Sequence, residues 1–366
     1  MLGHLLGRAG VVLLFVAGCS DYPPLPQVVV HPGQSIQAAI LRMPPDATTW
    51  VIKVKPGVYH ETIAVDRAGV TLLGEVTGLG FEDRPILDGK VEAVRLLEDA
   101  VIVNGANFTM QGFTVRNYRG SGVVTNKTHD VRLFDLVVDH AGRYGLHPVE
   151  SEDILIDSCI ATGLSNAGIY VGQSRRATVQ NSLLYGNVTG IEIENTVDAL
   201  VQGNEAFDNT AGLLAVVLPQ NPIKVGQNCT VQGNSFHDNN RANWGDPLAL
   251  VAKVPAGVGV GVMAADGTVV QGNALYSNRS AAVAIIGLST LFTNPTGIDV
   301  EPDPDGTIVR NNSYSGNGKD PDPALKAAGF SAGGDILWDG KGKGNCLDEP
   351  DTLAKVGAAG MLPHCM

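Results

Sequence analysis

The sequence predicts an all-β solenoid, in which short strands are wound into stacked coils of about 22 residues. Three segments carry the clearest signal, because each contains a glycine followed by alternating residues and each begins 22 or 23 residues after the one before. They are Tyr144–Ser151, Ala167–Ser174 and Thr189–Asn195. The composition agrees, since 45 of the 366 residues are glycine and 17% are charged. Such a chain is too rich in glycine for a helical protein and too apolar for a disordered one.

The alternation in these segments predicts which side chains face outward, since successive residues of a strand point to opposite faces. The inward set is Leu146, Pro148, Ile169, Val171, Ile191 and Ile193. The outward residues form two neighbouring files along the stack: His147, Tyr170 and Glu192 in one, and Val149, Gly172 and Glu194 in the other. We expect the first file and Glu194 to form a solvent-exposed polar set.

Asparagine recurs at a fixed spacing in five units. The pairs are Ser182 with Asn187, Asn204 with Asn209, Asn234 with Asn239, Asn273 with Asn278, and Asn312 with Asn317. Stacked in register, an asparagine amide can bond to the same residue of the next coil. Asparagine also tolerates the left-handed backbone of a tight turn. We interpret these pairs as structural ladders without a catalytic role.

The units lengthen towards the C-terminus, where three long excursions interrupt the repeat. They are Leu218–Gly226, Asn239–Pro255 and Leu288–Gly306. Excursions in a repeat protein usually fall on one face and often line a binding site. We therefore expect all three on one face.

The N-terminus predicts export. Arg8 precedes the apolar run Ala9–Ala17, which is too short to span a membrane and has the length of a signal-peptide core. The run ends in Val16-Ala17-Gly18-Cys19, which resembles the lipobox of bacterial lipoproteins. That resemblance implies lipidation of Cys19, and Ser20 resembles the outer-membrane sorting pattern. The expected location is the outer membrane, facing the periplasm or the cell surface.

We divide the chain into four parts: the signal peptide 1–18, a Pro-rich spacer 19–30, the solenoid 31–323 and a C-terminal cap 324–366. Ser35 is a suitable N-cap for a helix over Ile36–Met43, which would cover the open end of the stack. The formal net charge of −12 argues against nucleic acid as a partner, because that partner needs a basic patch. We expect a monomer.

Four cysteines follow Cys19. Cys346 and Cys365 flank one short C-terminal loop and are expected to form a disulfide. Cys159 and Cys229 are about three coils apart, roughly 14 Å at the ~4.8 Å strand spacing, which is beyond the reach of a disulfide. We predict that they are separate thiols.

Three phrases near the N-terminus, Gln34–Ile40, Val54–Tyr59 and Val70–Gly74, resemble the first coils of right-handed parallel β-helix proteins. That superfamily includes pectate and alginate lyases, polygalacturonases and mannuronan C5-epimerases. Further phrases, Gly168–Ser174, Gly190–Asn195 and Val254–Met263, resemble a group of bacterial parallel β-helix-repeat lipoproteins more closely. The resemblance covers about residues 31–320 and implies a single-stranded right-handed parallel β-helix with a polysaccharide as partner.

Uronate lyase or epimerase chemistry is the first functional hypothesis. In that chemistry a base removes the proton beside the sugar carboxylate, an acid returns one, and a cation neutralises the carboxylate. His147 and Tyr170 are the candidate base and acid, and Arg143 or Arg175 the candidate cation. The Asp-Pro-His-Asp phrase of bacterial mannuronan epimerases has its nearest counterpart in Leu146–Val149, which keeps the His and the Pro but neither Asp.

Two alternatives stay open. Inverting glycoside hydrolysis needs two carboxyls about 6.5–9.5 Å apart, and Glu192 and Glu194, two residues apart on one strand, are ~6.5–7 Å apart at Cα. A non-catalytic module would instead bind glycan by stacking on Tyr170 and Trp244. Asn195 completes the candidate substrate-binding set.

We assign no metal or cofactor. The acidic run Asp299, Glu301, Asp303 and Asp305 alternates carboxylates, which are ligands that Ca²⁺ can use. Its interspersed prolines and the lack of an EF-hand spacing favour a plain acidic loop.

Overall fold

The computed structural model describes residues 27–91, 96–292 and 297–365. Over these ranges the chain forms a parallel β-helix whose strands make three parallel sheets of 12, 11 and 10 strands. From β10 to β24 (bounds below) the strands follow one another in a fixed rotation through the three sheets, so each coil supplies one strand to each sheet. None of the helices in the described ranges is long and apolar enough to cross a membrane.

The strands, in chain order, are β1 (Gln27–Val30), β2 (Trp50–Val54), β3 (Gly57–Tyr59), β4 (Ile63–Val65), β5 (Val70–Gly74), β6 (Pro85–Asp88), β7 (Val101–Val103), β8 (Phe108–Gln111), β9 (Thr114–Arg116), β10 (Ser121–Asn126), β11 (His129–Phe134), β12 (Val137–Asp139), β13 (Tyr144–Val149), β14 (Glu152–Asp157), β15 (Ile160–Thr162), β16 (Ala167–Gly172), β17 (Arg175–Gln180), β18 (Leu183–Tyr185), β19 (Thr189–Glu194), β20 (Val197–Gln202), β21 (Glu205–Phe207), β22 (Ala211–Val216), β23 (Gln227–Gln232), β24 (Ser235–His237), β25 (Val258–Met263), β26 (Val269–Gln271), β27 (Ala274–Tyr276), β28 (Ala281–Ile286), β29 (Ile308–Arg310), β30 (Ser313–Ser315), β31 (Gly334–Trp338), β32 (Cys346–Asp348) and β33 (Lys355–Gly357). The α-helices are α1 (Ile36–Leu41), α2 (Leu288–Leu291) and α3 (Pro323–Ala327), and the 3₁₀ helices are Leu250–Lys253 and Ala359–Met361.

Sheet A runs β1-β2-β5-β8-β11-β14-β17-β20-β23-β26-β29-β32. Sheet B runs β3-β6-β9-β12-β15-β18-β21-β24-β27-β30. Sheet C runs β4-β7-β10-β13-β16-β19-β22-β25-β28-β31-β33.

The predicted capping helix is confirmed as α1. The Ser35 hydroxyl accepts a hydrogen bond from the Ala38 amide at 3.0 Å, and the Glu61 carboxylate accepts from the Ile36 and Gln37 amides at 2.7 and 3.2 Å. These acceptors satisfy amides that the first turn of a helix leaves free. The apolar face of α1, including Ile36, is buried against the first coil.

The solenoid is longer at both ends than the sequence suggests. The strand β1 begins at Gln27, inside the predicted spacer, and pairs with β2. Past residue 323, strands β31, β32 and β33 continue sheets C and A, so the predicted C-terminal cap contains further coils. These strands are short and separated by irregular segments, which explains why the repeat is hard to see in the sequence.

The predicted register of the three central segments is confirmed. Leu146 pairs with Ile169 and Ile169 with Ile191, all fully buried in the core. Tyr170 pairs with Glu192 and Gly172 with Glu194, as the two outward files require.

The two asparagine ladders are confirmed, and their residues are buried except at the C-terminal end, where Asn312 and Asn317 are half-buried. In each ladder the Nδ2 group donates to the Oδ1 atom of the next coil at 2.9–3.3 Å, for example from Asn187 to Asn209 and from Asn204 to Asn234. The expected left-handed backbone at these asparagines is wrong. In the ladder of Ser182, Asn204, Asn234, Asn273 and Asn312, the left-handed residue is the one before each ladder residue. These residues are Asn181, Gly203, Gly233, Gly272 and Asn311. The ladder side chains are thereby free to bond along the stack.

The cysteine assignments are confirmed. Cys346 and Cys365 form a disulfide, and Cys159 and Cys229 are separate, buried thiols. Burial raises the pKa of both thiols to about 12, which makes them unreactive as nucleophiles.

The three long excursions all border sheet C, as expected. Loop 1 (217–226) follows β22, loop 2 (238–257) precedes β25, and loop 3 (287–307, described over 287–292 and 297–307) follows β28. Loops 1 and 3 are joined at Asp299, which pairs with Lys224 and accepts a 2.9 Å hydrogen bond from the Gln220 amide.

Candidate functional site

The candidate site lies on the outer face of sheet C, where the two predicted outward files change from polar to apolar. Along one file Glu192 is followed by Leu214, Gly261 and Ala284. Along the other, Glu194 is followed by Val216, Met263 and Ile286. The two carboxyl groups therefore stand at a boundary between polar coils and apolar coils.

A partly open cavity of about 340 Å³ covers this boundary. Its floor is the outer face of sheet C, and loops 1, 2 and 3 supply its walls. Apolar wall residues of these loops include Leu218, Val251, Val254, Leu291 and Phe292, and Leu325 of α3 adds to the lining. The polar lining residues are Tyr144, Asn166, Tyr170, Glu192, Glu194, Asn221 and Lys253.

The expected solvent exposure of the polar set is wrong: His147 is half-buried, and the other three members are buried. Tyr170, Glu192 and Glu194 are only 7%, 9% and 7% exposed. They point out of the β-helix as predicted, but the residues that form the cavity walls cover them and exclude most of the solvent. Alternation predicts the direction of a side chain and not what covers it.

Glu194 is held by three hydrogen bonds that all end on its Oε1 atom. The Tyr170 hydroxyl donates at 2.8 Å, the Gln173 amide at 2.9 Å and the Asn221 amide of loop 1 at 2.8 Å. Burial raises the pKa of Glu194, while these three donors act in the opposite direction by stabilising its ionised form. Its Oε2 atom accepts no hydrogen bond from the described residues and is left for a ligand.

Glu192 has no hydrogen-bond partner among the described residues, although nine-tenths of it is buried and it lines the cavity. Burial, together with the neighbouring Glu194 carboxylate, raises the pKa of Glu192 to about 8. A buried carboxyl normally finds a partner, because desolvation of an unpaired polar group is costly. The surroundings of Glu192 therefore favour its protonated form, and its side chain lines a space large enough for a ligand.

The repeated coils of the chain match a known protein family. A model of the right-handed β-helix region matches residues 99–294, more than half of the chain. The chain belongs to the right-handed β-helix family. A search of curated proteins found no match.

Solved structures with the same fold include proteins that act on or bind saccharides. The A-module of the Azotobacter vinelandii mannuronan C-5 epimerase AlgE4 superposes with a TM-score of 0.56 at 16% identity, over 87% of this chain and 93% of that one. An alginate lyase from Paenibacillus sp. str. FPU-7 gives 0.59 at 14% identity, over 87% and 99%. A mutant tailspike protein of E. coli bacteriophage HK620, in complex with a pentasaccharide, gives 0.59 at 12% identity, over 89% and 62%. At these identities the likeness establishes the right-handed parallel β-helix fold.

In this β-helix protein His147 is placed beside the cavity and outside its lining. Its ring stacks on Tyr144 at 4.1 Å between centroids and meets Tyr170 edge-on at 5.0 Å, and Nδ1 bonds to the Ser121 hydroxyl at 3.1 Å. Burial, reinforced by the Arg143 charge, lowers the pKa of His147 to about 3. A neutral imidazole this weakly basic is poorly suited to the predicted role of a base.

Tyr170 is also poorly suited to proton transfer with substrate. Its hydroxyl proton is directed to Glu194, and burial and the two carboxylates raise its pKa far above the usual range. The geometry gives Tyr170 the role of orienting Glu194.

The four candidate substrate-binding residues are distributed differently from the prediction. Arg143 is exposed and close enough to influence Tyr144 and His147, yet it does not line the cavity. Arg175 is wrong, because it begins β17 in sheet A, beyond the turn that ends β16. Its neighbour Arg176 is paired with Glu152 and Asp153 on the same sheet.

Asn195 and Trp244, also expected to bind substrate, do not line the cavity. The Asn195 amide is occupied by loop 1, donating to the Leu218 and Ile223 carbonyls at 3.0 and 2.7 Å. Trp244 lies on loop 2, 43% exposed and outside the cavity lining. Asn195 thus holds loop 1 in place, and Asn221 of that loop makes the contact with Glu194.

Sequence reasoning missed Gln173, Asn221 and Lys253. Gln173 follows β16 in a left-handed turn, and its side-chain amide donates to the Tyr170 hydroxyl and to Glu194. Asn221 and Lys253 lie in loops, where no period indicates direction; Lys253 lies 4.5 Å from the centre of the Phe292 ring.

Proposed function

We propose that this β-helix protein cleaves a glycosidic bond, with Glu192 as the general acid and Glu194 as the general base. The observation that carries the proposal is the unequal environment of the two carboxyls. Glu192 is buried without a partner and faces the cavity, whereas Glu194 accepts three hydrogen bonds. Paired carboxyls in unequal environments are the arrangement by which enzymes separate an acid from a base.

The proton transfers follow from those environments. Glu192 is protonated at neutral pH because its pKa is raised, so it can give its proton to the glycosidic oxygen as the bond to the anomeric carbon breaks. Glu194, whose three donors favour its ionised form, accepts a proton from the water whose oxygen attacks that carbon. The two residues stand two apart on one strand, with Cα atoms ~6.5–7 Å apart, and carboxyl groups that project side by side from such positions can reach the ~6.5–9.5 Å separation of inverting enzymes.

The fold neighbours support a saccharide as the substrate class. Their names describe a mannuronan epimerase, an alginate lyase and a tailspike bound to a pentasaccharide. The cavity of this chain lies on the outer face of a sheet, beside a long regular surface that can contact successive sugar units.

Glycan cleavage by the carboxyl pair is tested on a panel of bacterial and plant polysaccharides and oligosaccharides. New reducing ends and the anomer first formed, followed by NMR, report hydrolysis. Glu192→Gln and Glu194→Gln should each lower the rate about 100- to 10,000-fold. The matched control is Glu205→Gln on sheet B, which should leave the rate unchanged. Binding without turnover in the wild type would replace this proposal with a glycan-binding module.

Uronate lyase or epimerase chemistry is the second candidate, and Lys253 in the cavity lining is the observation that favours it. A cation there can neutralise the carboxylate of a uronic acid. Against it, two acidic side chains already occupy the same space. Unsaturated uronate products absorb ultraviolet light, so the same panel read by absorbance separates elimination from hydrolysis.

We further propose that the protein is exported and anchored to the outer membrane through lipidated Cys19. The whole signal peptide and Cys19 lie outside the described residues. Support comes from the apolar run and the lipobox-like Val16–Cys19. Cys19→Ser should move the protein from the membrane fraction to the soluble exported fraction; a wild type already soluble and cut elsewhere would contradict the proposal.

A further inference from the structure

The cavity is divided between a polar end and an apolar end. Glu192, Glu194 and Asn221 lie at the polar end, close to Tyr170. Away from them the lining is mostly apolar, formed by side chains such as Val216, Met263 and Ile286, and its charged residue is Lys253, whose ammonium lies over the Phe292 ring. A sugar ring presents hydroxyls on most of its edges, and each loses its water on binding unless a protein group replaces it. The apolar end offers almost none of these groups.

Small residues on the outer face of sheet C open the apolar end. After Leu214 the file continues with Gly261 and Ala284, so this file places almost no side chain above two coils, beside Met263 and Ile286 of the neighbouring file. Apolar side chains from loops 1, 2 and 3 line the cavity beside this region. The whole cavity, with its polar end, has the size of a small-ligand pocket, at the lower end of the ~300–1,000 Å³ range.

Loop 2 continues the apolar character to the outside. Leu250 lines the cavity and is also 49% exposed, and its neighbour Leu248 is 95% exposed. Trp244, on the same loop, is 43% exposed. Exposed large apolar side chains grouped on one loop are typical of a contact with an apolar ligand or surface.

The geometry points to an amphiphilic glycoside as the ligand: its hydrocarbon group occupies the apolar end of the cavity, and its glycosidic oxygen lies at Glu192. The substrate class is then a sugar joined to an alkyl or acyl chain, as in a glycolipid. This inference rests on the proposed function, since the sugar is placed at the same carboxyl pair. The hydrocarbon site is nevertheless a property of the cavity that can be measured without turnover.

The test measures the affinity of the full chain for 1-alkanols from butanol to octanol by calorimetry. A hydroxyl gives Glu192 its missing partner and the alkyl chain samples the apolar end. Affinity should rise about fourfold for each added methylene, the ratio that ~0.8 kcal/mol per buried methylene gives, until the cavity is full. Equal affinity for butanol and octanol would overturn the inference.

Ala284→Leu places a larger side chain in the cavity and should weaken octanol binding at least tenfold. Val124→Leu, in the same outward file but outside the cavity, is the matched control and should leave it unchanged. Met263→Phe fills the same space from the neighbouring file, should weaken octanol binding in the same way, and serves if Ala284→Leu does not fold. An unchanged octanol affinity in a folded filling variant also overturns the inference.

Glu192→Gln separates this inference from the proposed function. The amide keeps the size of the side chain, so the gain per methylene should persist while glycan cleavage is lost. Cleavage by the wild type without any dependence on chain length would leave the acid–base pair standing and remove the hydrocarbon site. Dependence on chain length without any glycan cleavage would remove the proposed reaction and keep the cavity as an amphiphile site.

Discussion

The asparagine ladders and the outward file of Glu192 are built on the same coils and behave in opposite ways. In a ladder, each coil repeats one residue, and its amide both donates to and accepts from its neighbours, as Asn209 does between Asn187 and Asn239. In the outward file the residues differ from coil to coil, from Tyr170 to Glu192 to Leu214. In a file of asparagines, each side chain finds its hydrogen-bond partner in the next coil of the stack. A file of unlike residues leaves one carboxyl unmatched, and that carboxyl faces the cavity.

The largest effect is expected from cutting a ladder. Asn209→Ala removes the acceptor of the Asn187 amide and side chain and the donor to the Leu184 carbonyl, all buried. Each buried group left unpaired costs roughly 1–3 kcal/mol, so the free energy of unfolding should fall by about 3 kcal/mol or more. Urea unfolding measures it.

The control for the ladder is Gln202→Ala in the half-buried amide file of sheet A, where water can replace the lost bonds. Its loss should stay below about 1 kcal/mol. If Asn209→Ala and Gln202→Ala lowered the free energy of unfolding equally, burial of a file would not determine how much its hydrogen bonds stabilise the fold.

The next effect concerns pH. The pKa of Glu192 is raised from 4.5 to about 8 in the folded chain, so its protonated form favours folding. That contribution to the free energy of unfolding is fully present below pH 4.5 and is lost as the pH rises towards 8. In this interval the Glu192 carboxyl ionises in the unfolded chain but stays protonated in the folded chain. Glu192→Gln should abolish the loss, which is on the order of a few kcal/mol.

Urea unfolding at pH 4.5, 6 and 8 measures the difference between the wild type and Glu192→Gln. Glu205→Gln on sheet B is expected to follow the wild type. If the wild type and Glu192→Gln ran parallel across this range, Glu192 would be no more perturbed than an ordinary surface carboxyl.

The smallest effect is expected from Tyr170→Phe, which removes one of three donors to Glu194 and keeps the ring. The free energy of unfolding should fall by about 1 kcal/mol. Tyr185→Phe on sheet B keeps the stack of its ring on Phe207, at 5.4 Å, and should cost less. The opposite order would show that Glu194 does not depend on Tyr170.

The parts of the molecule that repeat could be predicted from the sequence. Period and alternation identified the coils, the inward set, the partners of Tyr170 and Gly172, and the ladders. Cys346 and Cys365 were paired from their places on one loop. In each case a local pattern has one physical solution in a stack of strands.

The site could be predicted only in part. The positions of Glu192 and Glu194 follow from alternation, but their burial depends on loops 1, 2 and 3, whose course no period describes. Arg175 was misplaced because a coil turns a corner between Gly172 and Arg175, and that corner moves the arginine to another sheet. Lys253 and Asn221 reach the cavity through loop conformations that are set by tertiary contacts.

The ladders also have a direction, and it sets where the chain can be edited. Every side-chain rung donates towards the C-terminus, so the last asparagine always needs an acceptor. The two ladders end on carboxylates, Asn317 donating to Asp335 at 3.1 Å and Asn312 to Glu349 at 2.8 Å. A carboxylate accepts hydrogen bonds but has no N–H group to donate, so it needs no acceptor in a further coil and ends the ladder. Whole coils can thus be added or removed in the middle of the stack without changing how a ladder ends. Truncation before Asp335 instead leaves the Asn312 and Asn317 side chains without these acceptors, so that a strand of another chain can pair there.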